Sequence, residues 1–256
     1  MPRAGHSTVC WPVCSPAARD GRESRPDTVG AICCALHTMA SEISRRTLAH
    51  YESNAERFWD GTRGHDVSQN IEALLAAIEG TPPFSILDFG CGPGRDLMAL
   101  KSVGHTPIGL DGCARFAEMA RAYSGCEVWQ KDFLDLALPA GFFDGVFANA
   151  SLFHVPSEFL PRVIGELAAS LKPGGVLFCS NPRGDGAEGW SGERYACHFD
   201  YEHWHALFGE QGLAEVAHYY RPLGKPRAEQ PWLAMVLRKA AAPPSHGPPL
   251  CSRSSP

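Results

Sequence analysis

Residues 85–96 read Ser85-Ile86-Leu87-Asp88-Phe89-Gly90-Cys91-Gly92-Pro93-Gly94-Arg95-Asp96. An apolar run ends in a carboxylate, three glycines follow at alternate positions, and an amphipathic helix pattern begins. That is a strand, a tight turn and a helix N-terminus, the arrangement by which open α/β sheets hold nucleotide-like ligands. Glycine allows the sharp turn and lets a ligand approach backbone that a Cβ would screen. A dinucleotide fingerprint spaces its glycines G-x-G-x-x-G, with the pyrophosphate on the helix N-terminus. Here the spacing is G-x-G-x-G, and Arg95 takes the sixth position. Asp88, two places before Gly90, suits a ligand with an ammonium group and no phosphate. A second acid, Asp111, closes Ile108-Gly109-Leu110-Asp111 and is followed by Gly112. At the end of the next predicted strand, a carboxylate can take ribose hydroxyls.

From residue 84 onward, strands and helices alternate. Strands are predicted at 84–89, 106–110, 126–130, 142–148, 176–180, 214–221 and 232–237. Helices are predicted at 96–103, 114–123, 158–171 and 201–211. In 158–171 the apolar positions Leu160, Val163, Ile164, Leu167 and Leu171 share one face. The alternation predicts βαβ units and a mostly parallel, Rossmann-like seven-stranded sheet, α/β in class. The last two strands have no helix between them and are predicted antiparallel. Upstream, residues 44–59 predict one helix with Leu48, Tyr51, Ala55, Phe58 and Trp59 on one side. Asp66 caps a second helix that carries Ile71, Leu74, Leu75 and Ile78.

The chain is 256 residues long and its net charge is −5. It has no basic block for nucleic acid, no cationic amphipathic helix for a membrane surface, and no apolar run of membrane-spanning length. The ten cysteines include no C-x-x-C pair. Cys91, Cys113, Cys126 and Cys179 fall in or beside predicted buried elements, so a reducing, cytoplasmic setting is expected. Residues 1–40 are rich in Pro, Arg, Ser, Ala and Gly, and 240–256 in Pro and Ser. They are read as a disordered extension and a disordered tail around a domain at 41–239. His203 and His205 stand two apart on a predicted helix and share no face, so with His198 and Asp200 they make no metal site.

The pattern Asp88-x-Gly90-x-Gly92-x-Gly94 followed by Asp111 resembles the class I S-adenosylmethionine (SAM)-dependent methyltransferases. The resemblance implies SAM as cofactor and a small-molecule substrate, with no nucleic acid or membrane partner. It places the cofactor among Asp88, Gly90, Gly92, Gly94, Arg95, Asp111 and Gly112. Asp132 then faces the adenine amine, Phe133 covers the base, and Asn149 stands beside the methionine part. Strings at 51–59, 65–70, 89–96, 147–156 and 192–195 are similar to a narrower group. It is the methyltransferase domain at the C-terminal end of the ovothiol-biosynthesis enzyme, 5-histidylcysteine sulfoxide synthase, and the likeness spans roughly 51–238. It implies N-methylation of the imidazole of 5-thiohistidine. Because no synthase portion accompanies the domain, the selenium analogue 5-selenohistidine is an equal expectation.

A neutral imidazole needs orientation and an acceptor for its other N–H more than a strong base. His154, Asn149 and Tyr195 are expected there. Tyr51, Asn54, Trp59 and Phe153 would line the substrate, with Tyr51 also reaching the cofactor, and Arg183 or Arg194 would hold a carboxylate. Residues 181–195, Gly-rich but carrying Trp, Arg and Tyr, are read as a lid or substrate loop. The alternatives are a methyltransferase for another small thiol, amine or carboxylate, and a non-catalytic SAM-binding subunit. A nicotinamide oxidoreductase is opposed by the missing sixth-position glycine.

Overall fold

The computed structural model describes residues 28–240. The chain divides into two compact units, 1–36 and 37–256. In the first, the described residues are 28–36, the opening turns of helix α1 (Thr28–Ser53). This helix begins inside the segment expected to lack regular structure. The remainder of that segment, and the C-terminal tail beyond residue 240, lie outside the described residues.

In the second unit, α1 is followed by α2 (Ala55–Thr62) and α3 (Ser68–Ala77). The single helix expected over 44–59 is therefore two. Asn54 breaks it: its amide nitrogen donates to the His50 carbonyl at 2.7 Å, and its backbone leaves helical geometry. Asn side chains compete with the backbone in this way. Then come β1 (Ser85–Phe89), α4 (Arg95–Ser102), β2 (Thr106–Asp111), α5 (Ala114–Ser124), β3 (Glu127–Gln130) and β4 (Phe143–Asn149). They are followed by α6 (Leu160–Ser170), β5 (Leu171–Pro182), β6 (Ala187–Ser191), β7 (Arg194–His198), α7 (Tyr201–Glu210), β8 (Leu213–Arg221) and β9 (Trp232–Lys239).

Seven strands form one sheet in the order β3-β2-β1-β4-β5-β9-β8. The β1–β2, β2–β3, β1–β4 and β4–β5 pairs are parallel, and β9 runs antiparallel to both β5 and β8. The fold is the Rossmann-like one expected. The glycine-containing turn at 172–175 lies inside β5, and the β4–β5 register shifts across it. Residues 187–195, read as part of a loop, instead belong to a separate two-stranded hairpin, β6–β7, that ends at His198.

The central strands are buried on both faces, which parallel sheets require. Strand alternation sorts them: Leu87 and Phe89 pack toward α6 and α7 with Val163, Leu167, Trp204 and Phe208. Ile86, Phe147 and Phe178 pack toward α3 with Ile71 and Leu74. The chain runs outward from β1 through β2 to β3, then returns to β4 on the other side of β1. That reversal opens a crevice at the carboxyl ends of β1 and β4.

Gly94, which caps α4, has φ +96°, and a Cβ there would lie 2.8 Å from the Ala120 Cα of α5. The Gly94→Ala variant is expected to lose about 2–3 kcal/mol of unfolding free energy, measured by urea denaturation.

Candidate active site

The turn after β1 is tied to the end of β2. The backbone N–H groups of Gly90 and Cys91 both donate to the Leu110 carbonyl, at 2.8 and 3.1 Å. Asp111 then holds the turn with its side chain: one carboxylate oxygen accepts the Gly92 N–H and the other the Cys113 N–H, each at 2.9 Å. Each oxygen keeps a further lone pair. Burial pushes the Asp111 carboxyl up to about 6, against the two N–H donors that favour its charged form.

Outside this turn lies a cleft walled by Gly90, Gly92, Asp111, Gly112, Asp132, Phe133, Ser151 and His154 from the strand ends. Gly90 has φ +77°, and a Cβ on it would collide with the Ser151 side chain. Asp132 accepts the Leu134 N–H at 2.8 Å and the Ser44 hydroxyl at 2.6 Å. Phe133 stacks on Phe89 with centroids 4.1 Å apart. Two buried side-chain oxygens nearby, Asp88 Oδ2 and Ser151 Oγ, have no hydrogen-bond partner. Burial, and then the neighbouring Asp96 carboxylate, push Asp88 well above the usual carboxylate range.

Helix α1 forms the opposite wall with Ser44, Thr47, Leu48 and Tyr51, and α2 adds Phe58. The first three were not anticipated, although Ser44, Thr47, Leu48 and Tyr51 stand at i, i+3, i+4 and i+7 and so share a helix face. Leu48 fits against Gly112, where a Cβ would come within 2.9 Å of it. Thr47 accepts the Tyr195 N–H at 3.1 Å. Tyr51 Oη meets His154 Nε2 at 2.8 Å, and His154 Nδ1 meets the Tyr195 carbonyl oxygen at 2.7 Å. A carbonyl only accepts, so Nδ1 carries the proton. Nε2 of the neutral ring then accepts from the Tyr51 hydroxyl. Burial pushes His154 down to about 4, aided by the positive charge of Arg194. Burial raises the Tyr51 phenol, and the Arg194 guanidinium beside it opposes that rise.

The other expected site residues lie elsewhere. Asn149 lines neither this cavity nor the one described below. It joins a buried polar chain behind the turn: Tyr219 hydroxyl to Asn70, Asn70 to Asn149 at 3.0 Å, and Asn149 to Asp96 at 3.1 Å. Arg95 completes the chain, binding Asp96 in bidentate fashion and the Thr62 carbonyl. The Tyr195 hydroxyl turns outward to Glu188, at 3.0 Å, so only its backbone serves His154. Trp59 packs edge-on against Tyr123; Phe153, packed against the core beside Trp232, backs His154 with ring centroids 4.1 Å apart. Arg183 is spent on the carbonyls of Gln230 and Arg227.

A second cavity opens on the far side of Tyr51 and Phe58, which wall both. His50, Asn54, Arg57, Glu193 and Arg194 also line it. The two differ in charge. The first carries Asp111 and Asp132 and, among the described residues, neither Lys nor Arg. The second carries two arginines, and its one carboxylate, Glu193, is held by Arg46 at 2.7 and 3.0 Å.

Residues 86–175 match the methyltransferase domain family. A ubiquinone biosynthesis O-methyltransferase from Xanthomonas campestris is 29% identical over 151 residues, 55% of this chain and 62% of that protein. A trans-aconitate 2-methyltransferase from Azoarcus is 32% identical over 114 residues, 43% of this chain and 44% of that protein. The chain thus spans less than two thirds of the length of either. A solved 1,6-didemethyltoxoflavin-N1-methyltransferase from Burkholderia thailandensis, bound to its substrate and S-adenosylhomocysteine, superposes with a TM-score of 0.59. It is 20% identical and covers 88% of this chain and 94% of its own. A SAM-dependent methyltransferase from Leishmania major reaches 0.64 at 17% identity, covering 78% and 82%. The fold is that of the class I methyltransferases. No helix among the described residues is long and apolar enough to cross a membrane.

A histidine held near 4 in the folded state but near 6.5 when unfolded binds fewer protons folded. Its stabilisation is present above the unfolded value and is lost as pH falls from 6.5 to 4. Wild type is therefore expected to lose on the order of 3 kcal/mol relative to His154→Gln over that window, read as the difference between two urea-denaturation series.

Proposed function

We propose that the protein is a SAM-dependent methyltransferase acting on a small molecule, and that its acceptor is the imidazole nitrogen of 5-thiohistidine or 5-selenohistidine. One observation carries the cofactor assignment. The cavity at the carboxyl ends of β1, β2 and β3 presents aspartates and glycine backbone with no cationic side chain. A wall of that charge favours a ligand that is itself cationic and repels phosphates, which sets the nicotinamide alternative aside on electrostatics as well as on spacing.

The residues fit the cofactor. Asp111 would take the ribose hydroxyls on its remaining lone pairs, and Asp132 the adenine amine. Asp88, buried under the turn with an unpartnered oxygen, would complement the ammonium group. Gly90 and Gly92 leave the backbone bare where a Cβ would stand. Gly94 and Arg95 act one step removed, in packing α4 on α5 and in anchoring Thr62. Once bound, SAM supplies a methyl group on a sulfonium, ready for in-line displacement. The chain's own part is to orient the acceptor and exclude water.

His154 and Tyr51 do the orienting. His154 stays neutral, with its proton on Nδ1 and its Nε2 engaged by the Tyr51 hydroxyl. With Arg194 beside it, the phenolic oxygen keeps a lone pair to accept the N–H of an acceptor ring, which fixes that ring's tautomer. The narrower substrate assignment is supported by the likeness at 51–59, 147–156 and 192–195. The structure gathers Tyr51, His154 and Arg194, one from each of these strings, around one point. The relatives named above carry the names of small-molecule methyltransferases.

The test is methyl transfer from SAM to 5-thiohistidine, 5-selenohistidine and histidine, read by mass spectrometry. One added methyl on the thiol or selenol, and none on histidine, is expected. Failure on all three with S-adenosylhomocysteine still bound would sink the imidazole assignment and leave a methyltransferase for another acceptor, or a non-catalytic binder. The Asp111→Ala variant is expected to raise the KM for SAM about tenfold or more, the loss of a charge-assisted contact.

A further inference from the structure

We infer that the second cavity is the acceptor site and that it takes an α-amino acid, with the carboxylate held between Arg57 and Arg194. This deepens the methyltransferase reading and rests on it. Arg57 was not singled out by any motif. It stands on α2, one turn before Gly61, and lines the cavity from the helix side, whereas Arg194 enters from the start of β7. Among the described residues neither guanidinium is in an ion pair with a carboxylate. That sets them apart from Arg46 and Arg115, on neighbouring elements, which are each matched to glutamates.

These two guanidiniums, on separate walls of one cavity, carry positive charge with no carboxylate matched to it, Arg194 lying beside the Tyr51 hydroxyl. A planar carboxylate offers two oxygens that such forks bind in pairs. The ammonium end also has a place. Glu193, which also lines the cavity, accepts one bond per oxygen from Arg46 and keeps further lone pairs. The cavity thus offers both signs of charge, as a zwitterion requires.

The third requirement is a route for the side chain to the methyl donor. Tyr51 and Phe58 belong to both cavities. An amino acid anchored at Arg57 and Arg194 extends its side chain toward the Tyr51 hydroxyl, where His154 stands behind. The acceptor class is therefore set at the cavity's cationic end, and the reacting atom at its aromatic end. Arg57 acts here as a specificity-determining residue, touching the substrate away from the reacting atom.

The test pairs α-amino acids with their decarboxylated amines: 5-thiohistidine with 5-thiohistamine, histidine with histamine, and cysteine with cysteamine. Full-length protein is first titrated with S-adenosylhomocysteine and then, saturated, with each probe by calorimetry. At least one acid is expected to bind about tenfold or more tightly than its amine. In Arg57→Gln and Arg194→Gln that gap should collapse to less than about threefold, while the Kd for S-adenosylhomocysteine moves less than about twofold. No acid binding more tightly than its amine, or a gap unchanged in Arg57→Gln, overturns the inference. Absence of S-adenosylhomocysteine binding in the first titration takes down the methyltransferase reading itself, so the two failures are told apart.

Discussion

Everything at the carboxyl edge of the sheet depends on a carboxylate folded inward at the end of β2. Asp111 spends one oxygen on the glycine turn and the other on the N-terminus of α5. With the two bonds to the Leu110 carbonyl, it converts a flexible glycine run into a fixed shelf. Burying a carboxylate is costly, and the upward push on its proton affinity expresses that cost. The two N–H donors offset it by stabilising the charged form. The result is a rigid turn whose backbone faces a cavity without side chains in the way. That requires glycine at position 90, where Ser151 fills the only space a Cβ would have.

The opposite wall is built differently. Helix α1 meets the shelf with several polar side chains: Ser44 on Asp132, Thr47 on the Tyr195 N–H, Tyr51 on His154, and Glu52 on Cys113 and the Arg115 N–H. Leu48 against Gly112, and Leu48 and Tyr51 against Cys113 and Phe116, add apolar packing. The hairpin β6–β7 braces α1 from outside with the exposed Arg46–Glu193 pair, and Arg46 lies 4.1 Å over the Trp190 ring. Exposed pairs of this type contribute little, up to about 1 kcal/mol.

The shelf was legible in the sequence because it is local. The glycine spacing, Asp88, Asp111 and Asp132 each sit at a strand end, and alternation of strand and helix patterns orders the strands. Seven strands and their antiparallel pair follow from the same alternation. The lid side was harder to read because its geometry is set by contacts distant in sequence. Tyr195 and Asn149 have the right chemistry, but strand alternation turns the Tyr195 hydroxyl toward Glu188, and Asn149 is claimed by Asp96 and Asn70. Arg183 and Arg194 look equivalent in a Gly-rich loop. Only the hairpin register, with Ser191 opposite Arg194, carries one inward while backbone carbonyls from 227 and 230 take the other. The break at Asn54 depends on a side-chain bond that helical periodicity does not reveal. That break starts α2 afresh, giving the helix on which Arg57 and Phe58 stand.

The neutral state of His154 follows from where the two cavities meet. Aspartates line one and arginines the other, and the histidine stands at their junction, buried beside Tyr51. A proton on its ring would add a positive charge with the Arg194 guanidinium already adjacent and water excluded. Burial and like-charge repulsion act in the same direction, and the Tyr195 carbonyl decides which nitrogen keeps the single proton that remains. A ring fixed in both charge and tautomer can hold the Tyr51 hydroxyl in one orientation across the whole neutral pH range. In the proposed reaction an acceptor nitrogen with a free lone pair needs that fixed orientation more than it needs a base. The charge separation between the cavities provides it, keeping a cationic donor and an anionic anchor apart while both reach the same tyrosine.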